Sequence, residues 1–456
     1  MKFNEFRLTS TSMLVVTTLI LGCFMALGAG LTMDDPMIVY GIIYGSLFLA
    51  IAWRFPGLAL AVTFASAPLQ NDLTNGVGAL RFSITEIDLA LCLAVFIFRR
   101  ITQQRPIKFG PYLLPVILYL SVCMASSLAD WHPDTVLTAM AQMILYLVLA
   151  TVLYTNFAEK PEQLLWGFNL LIAVCMFLAL SGLLANTFFI FGLHKNGVGS
   201  SLGFGVIVCI ELWMAAEKGK AKIFLFLATI IITAGLIFTL SRGAWLGAIA
   251  GTAVVIALRG KFKFLLQVMV VLIPVVAVFW NLLPQEKREY ATGFGRERDN
   301  IEARYQTIDY AREQFEKSPF YGVGIGLRKE VDATNIFWIT LAETGVPGLL
   351  AFMSVQIVAF LMLYKTLKKL SRTDKLYPLV GAPAGLMVNK LFHGMVDHYY
   401  ARGPLMMVWA GVGMATMVYH VLKDREAVQM RDSALRAEDA YRERVLETMK
   451  IRQANG

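Results

Sequence analysis

Apolar runs of roughly 20 residues recur along this chain from one end to the other, and that recurrence leaves few folds open. In lipid every backbone N–H and C=O must be satisfied within the protein, so a spanning segment is either a helix or a strand of a closed barrel. These runs are continuous rather than alternating, which excludes the barrel. The sequence predicts an all-α polytopic membrane protein. Fourteen spans are expected, at 12–31, 37–53, 57–69, 83–98, 111–129, 136–156, 164–184, 199–216, 221–240, 244–258, 264–283, 346–364, 376–395 and 404–421. The runs at 57–69 and 83–98 are short, and read as a re-entrant pair they leave twelve full spans with the same parity. Ser12 to Gly30 lacks a clear A-x-A cleavage site and reads as a retained first helix rather than a signal peptide.

Composition agrees. Hydrophobic residues make up 57% of the chain and charged residues 16%, with mean hydropathy +0.61, where a soluble chain carries about 25% charged residues. Cys23, Cys92, Cys123, Cys175 and Cys209 all fall inside apolar runs without metal spacing and read as small hydrophobes, not disulfides or ligands. The net charge of +9 does not call for nucleic acid. It is what the positive-inside rule produces.

That rule also orients the chain. With Lys2 and Arg7 in the cytoplasm, the loops carrying Arg99, Arg100, Arg105 and Lys108, then Lys218, Lys220 and Lys222, then Arg259, Lys261 and Lys263, then Lys365 to Lys375, fall on the same side. The short outer loops hold isolated cations such as Arg81, Lys195, Arg242 and Arg402. Both termini are expected in the cytoplasm. The segment Pro284–Thr334 is then a large outer loop within a membrane domain of residues 1–421. It contains nine of the 41 Lys/Arg, with acidic residues about as frequent. Long loops cross despite their charge. Its cations either pair with the loop's own acids or serve a ligand.

Within the loop, Ile301, Tyr305, Ile308, Ala311 and Phe315 recur at helical spacing until Pro319. Gly322-Val323-Gly324-Ile325-Gly326 reads as a flexible turn. As a phosphate-loop signal it is weak, because no strand–helix unit surrounds it. From Lys423 to Gly456 a tail mixing Arg and Glu predicts a cytoplasmic helix, either solvated or weakly coiled. No internal repeat is evident.

Four polar groups fall at the expected outer face. Arg242, in Ser241-Arg242-Gly243-Ala244-Trp245, occupies a very short turn at the start of a span. It either snorkels or receives a phosphate at a helix N-terminus. Gly243, Gly247 and Gly251 form a small-xxx-small stripe that predicts close helix packing. His194 and Lys195 stand in another outer loop, as solvated residues or as contacts to phosphate or sugar. Asn335 and Glu343 flank the re-entry of the large loop, as capping residues or as a polar lining. Lys390, His393 and Asp397 share one helical face, followed by Tyr399, Tyr400 and Arg402. A lysine in a span costs about 2.5–3.5 kcal/mol on insertion scales and usually has a function. A carboxylate one turn from an imidazole orients it as a general base, although an interfacial aromatic belt accounts for the tyrosines. No HExxH, CxxC or DxD-type set is evident, so metal catalysis is not favoured and no cofactor is expected.

The strings Leu240-Ser-Arg-Gly-Ala-Trp-Leu-Gly, Lys317-Ser-Pro-Phe-Tyr-Gly-Val-Gly-Ile-Gly and Thr334-Asn-Ile-Phe with Leu341-Ala-Glu-Thr-Gly-Val-Pro-Gly-Leu-Leu resemble the O-antigen ligase/polymerase superfamily. The resemblance covers roughly residues 190–420. It implies a GT-C-type glycosyltransferase of the bacterial inner membrane that takes a glycan from undecaprenyl pyrophosphate at the periplasmic face. Ligases pass it to lipid A–core; O-antigen and exopolysaccharide polymerases pass it to another lipid-linked unit. By the motif match Arg242 would carry the pyrophosphate, with loop arginines among Arg296, Arg298 and Arg304. Thr334-Asn335 stands where the family often has His-Asn. Either His393 with Asp397 supplies the base, or the reaction needs little base assistance. A flippase for the same lipid-linked sugars is the reading from another class, and the absence of repeats speaks against it.

Overall fold

The architecture is that of a computed structural model, which describes residues 36–69, 83–128, 132–187, 193–263, 297–327, 334–397, 399–400 and 402–454, with separate positions between 270 and 288. The span expected at 12–31, most of that at 264–283, Cys23 and Arg296 lie outside the described residues. Of Arg298 only the backbone is described.

Among the described residues the chain is helical, without a β-strand. The helices are α1 (Pro36–Arg54), α2 (Pro56–Ser66), α3 (Ile84–Gln103), α4 (Leu113–Ser127), α5 (Pro133–Asn156), α6 (Leu165–Ala185), α7 (Lys195–Ala215), α8 (Lys220–Phe238), α9 (Arg242–Leu258), α10 (Glu297–Lys317), α11 (Ile336–Lys369), α12 (Pro378–Gly394) and α13 (Arg402–Ala454). Six of them, α5 to α8, α11 and α13 (α6 counted from Pro161), are long and apolar enough to cross a membrane. The chain is an all-α polytopic membrane protein, as expected. The pair at 57–69 and 83–98 is uneven: α3 has 20 residues and α2 only 11, so α3 reaches about 30 Å and is no half-helix.

Local chemistry sets these boundaries. Ser83 and Glu86 form a capping box that starts α3. Proline stands at the start of α2, α5 and α12, where its missing N–H costs nothing. A π-helical turn, Ile144–Ala150, interrupts α5. α13 runs unbroken for 53 residues from the membrane into the charged tail, whose side chains are exposed from Lys423 to Arg444 except at Glu426.

Two polar ends are separated by the apolar middle. At one end Arg100 donates to the Asn156 carbonyl (2.7 Å), Lys108 meets Asp424 (2.7 Å), Arg259 meets Glu211, and Lys369 meets Glu426 (2.8 Å). At the other end Ser126 donates to the Glu343 carbonyl (2.5 Å), Arg304 to the Val396 carbonyl (2.9 Å) and Asn335 to the Met395 carbonyl (3.1 Å). The cation-rich short loops all belong to the first end. The groups singled out in the sequence belong to the second.

The interior of the bundle is α7, α9, α12 and α13. Of α7's apolar window 83% is buried, against 39% for α8 at the periphery. Apolar burial does not draw helices together in lipid, so the contacts depend on close backbone approach through small residues. The stripe on α9 does this against α12. A Cβ at Gly247 would lie 2.8 Å from the Asn389 carbonyl oxygen, and one at Gly251 2.5 Å from that of Gly385.

Candidate active site at one end of the bundle

The turn between α8 and α9 is only Thr239–Ser241, with Leu240 left-handed (φ 51°). The Thr239 hydroxyl accepts from the Ser241 N–H (3.3 Å), and the Trp245 indole donates back to the Leu236 carbonyl (2.9 Å). This fixed turn sets Arg242 as the first residue of α9, half-buried, where the helix dipole is positive. The start of α7 lies alongside: a Cβ at Gly199 would meet Thr239, Ser241 and Ala244 within 3.0–3.2 Å. Lys195 and His194 lie one turn above on that helix, with His194 Nδ1 accepting the Asn196 N–H as an N-cap.

The last turns of α12 face α9. His393 Nε2 lies 3.5 Å from Asp397 Oδ2, both nearly buried. The imidazole is pressed against Gly243, whose added Cβ would come within 2.8 Å of His393 Cδ2. One turn deeper Lys390 is fully buried, its Nζ 5.7 Å from the centre of the Tyr399 ring. Tyr399 accepts from the Gln356 amide (3.1 Å) and packs edge-on to Phe352. Asn389 beside it is fully buried between the α9 glycines, and its amide reaches no hydrogen-bond partner among the described residues.

The turn after α12 is held from two directions. Arg304 of α10 donates to the Val396 carbonyl, and the Asn335 amide to that of Met395. Asn335 also caps α11, its Oδ1 accepting from Phe337 N–H (3.0 Å) and Trp338 N–H (3.2 Å). α10 is the amphipathic helix expected at 301–315, and it packs on α11.

The glycine-rich segment 322–326 is not a flexible turn. It is mostly buried and hydrogen-bonded into a break in α11. At Gly345 (φ 64°, ψ −169°) the helix is interrupted. Val346 N–H turns to the Pro319 carbonyl (2.9 Å), and Pro347 has no N–H, so the carbonyls of Ala342 and Glu343 lose their helical donors. Val323 N–H (2.9 Å) and Gly324 N–H (3.0 Å) replace them. A freed carbonyl at this depth must find a partner inside the protein, and the two motifs satisfy one another. Glu343 is fully buried, and its Oε1 accepts from Gly326 N–H (3.0 Å). It therefore positions the loop from within rather than facing an open surface. A Cβ at Gly322 would fall 2.3 Å from the Glu343 carbonyl oxygen.

Arg402 stands apart from the His393 cluster. Its guanidinium lies 3.8 Å from Glu86, which also accepts from the Tyr146 hydroxyl (2.5 Å). Nearby Tyr119 and Tyr400 share a 2.6 Å hydrogen bond. The structure thus brings Arg242, His393, Asp397, Lys390, Arg304 and Asn335 around the end of α12. It sets Lys195 and His194 at the adjoining rim, Glu343 beneath the loop, and Arg402 against α3.

Sequence reasoning missed Ser126, Ser127 and Glu86. Ser126 Oγ and Ser127 Oγ accept from Gly324 N–H (3.2 Å) and Ile325 N–H (3.1 Å). Two serines in an apolar run carry no signal of this. Glu86 did, through the Ser83-x-x-Glu86 capping pattern and as an acid in a span. Among the described residues no three His, Cys, Asp or Glu gather as a metal would need.

Residues 227–353, from α8 through the break in α11, match the family model described as O-antigen ligase. The matched segment takes in Arg242, α10, the glycine-rich loop and Glu343, and ends before α12. No curated protein matches the chain. The match over residues 227–353, together with the helical membrane architecture, supports an O-antigen ligase/polymerase-type membrane enzyme.

Proposed function

We propose that this protein transfers a glycan from undecaprenyl pyrophosphate to an acceptor hydroxyl at the periplasmic face of the bacterial inner membrane, as an O-antigen ligase acting on lipid A–core. The reading rests on one observation: the helix N-terminus bearing Arg242 is seated on the imidazole of His393, whose Nε2 faces Asp397.

The chemistry follows from those positions. Transfer breaks the bond between the anomeric carbon and the phosphate oxygen and forms one to the acceptor oxygen. Undecaprenyl pyrophosphate leaves with the bonding electrons, and its departure needs its charge met by cations and oriented dipoles. Arg242, at the positive end of α9, fills that role, with Arg304 and the neighbouring loop residues Arg296 and Arg298. Arginine suits it because its planar donors match phosphate oxygens in pairs. The acceptor hydroxyl gives its proton to His393, and Asp397 holds the ring and stabilises the imidazolium that forms. Lys390, buried below, adds positive potential to the same site. Gly243 packs against the imidazole beside Val396, and the acceptor is proposed to reach the ring by movement of the turn after α12. Lys195 and His194 at the rim, Asn335 and Arg402 are proposed to contact the sugars or phosphates.

A polymerase is the second reading, favoured by Thr334 in the place where the family often has histidine. Purified protein given labelled lipid-linked glycan with either lipid A–core or a second lipid-linked unit separates the readings. Product on lipid A–core supports the ligase. Product only on the lipid-linked unit makes the enzyme a polymerase, and movement of donor across the bilayer without transfer makes it a flippase.

A further inference from the structure

At the end of the bundle opposite His393, the C-terminus of α3 and the turns around it enclose a cavity of about 290 Å³. Arg99, Arg100 and Arg105 line it together with a single acid, Glu159. The nearest pairing, Arg99 to Glu159, is long at 3.9 Å. Three guanidinium groups therefore share one wall with one carboxylate.

Charges that serve only to orient a membrane protein are free to spread into water. These are built in. The Arg100 guanidinium donates to the carbonyls of Asn156 (2.7 Å) and Pro106 (3.1 Å) and lies 5.1 Å from the Phe96 ring centre. Arg99 donates to the Trp53 carbonyl and lies between the rings of Trp53 (5.7 Å) and Phe157 (5.9 Å). Asn156 is itself fixed, exchanging hydrogen bonds with the Lys108 backbone (2.7 and 2.8 Å). Guanidinium groups held in this way lose little freedom when they bind, which favours a planar or tetrahedral oxyanion. The outer surface beside the cavity is apolar and exposed: Phe98 by 54%, Ile101 by 72% and Ile107 by 42%. A free anion has no use for that surface, whereas acyl chains do. Basic pockets between membrane helices at the bilayer boundary are of this kind.

We propose that this cavity binds the phosphate of an anionic phospholipid headgroup, with the acyl chains lying along the Phe98–Ile101 face of α3. The site is distinct from the glycan-transfer site and does not depend on it.

The test places the full-length protein in nanodiscs of phosphatidylcholine, with or without phosphatidylglycerol, and adds inorganic phosphate to the phosphatidylcholine-only discs as a third arm. Phosphatidylglycerol raises the unfolding temperature and co-purifies with the protein after detergent exchange, while inorganic phosphate has no effect. Arg105→Gln, at an exposed position, lowers the retained phosphatidylglycerol about fivefold, and Arg100→Gln with Arg105→Gln lowers it further. Equal stabilisation by inorganic phosphate, or unchanged retention in the Arg105→Gln protein, overturns the proposal. Because Arg105 anchors no backbone contact described above, that variant decides the question even where the double variant fails to fold.

Discussion

The α-carbon of Gly243 faces the imidazole of His393 with no room between them: a Cβ added there would lie 2.8 Å from Cδ2 and 3.3 Å from Nε2. Two elements far apart in sequence, the start of α9 and the end of α12, thus meet at the residues given the chemistry. Gly243→Ala forces one of them to move, at a cost of about 1–3 kcal/mol. The expected result is a folded but less stable protein whose turnover falls well below that of wild type. Wild-type turnover with an unchanged melting temperature would mean the contact does not matter.

Asp397→Asn keeps the shape of the side chain and removes its charge. Because Asp397 is proposed to orient the base, the substitution is expected to lower turnover by roughly 10²-fold or more while leaving donor affinity nearly unchanged. His393→Ala is expected to do the same, and the double variant to add little. Weakened donor binding at constant turnover would assign the pair to binding rather than proton transfer. Initial rates at varied donor concentration make the distinction.

Glu343→Ala leaves the Gly326 N–H buried without its acceptor, at about 1–3 kcal/mol. Limited proteolysis is expected to cut the variant near Tyr321 faster than wild type, and Glu343→Gln, which keeps an acceptor oxygen, to lie between them. Equal cutting rates for all three would show that the carboxylate does not hold the loop.

Glu211 and Arg259 form a buried ion pair at the opposite end, with Arg259 Nε 3.1 Å from Oε1 and its guanidinium over the Tyr377 ring. Glu211→Ala strands a buried cation and is expected to cost about 3–5 kcal/mol, whereas replacing both partners by apolar residues recovers much of it. Thermal unfolding in detergent measures this. Transfer per folded molecule should not change, since the pair lies at the far end from His393; a large loss of activity in the folded fraction would tie the two ends together.

The helical architecture was legible because its cause is local. Continuous apolar runs and the burial of backbone polar groups permit little else, and the expected spans coincide closely with α1 to α9. The clustering of Lys390, His393 and Asp397 was legible for the same reason, since helical spacing puts them on one face. What was not legible is long-range. Ser126 and Ser127 hold a loop that lies 198 residues on, and no periodicity reports such a pairing. The glycines at 322–326 suggested freedom, because glycine permits many conformations. Here Gly322 is small because Glu343 and Thr344 press against it, and a Cβ at Gly326 would meet Thr135, which only the fold reveals. Asn335 and Glu343 drew notice as polar residues near a membrane boundary. Their hydrogen bonds make them a helix cap and a loop support.

The most direct measurement is the initial rate at which the Arg242→Ala protein transfers labelled glycan from a polyprenyl-pyrophosphate donor in sealed vesicles, with the inserted amount determined in parallel. Loss of the cation proposed to meet the leaving pyrophosphate predicts a fall of roughly 10²–10³-fold at normal insertion. A rate within twofold of wild type would contradict the account.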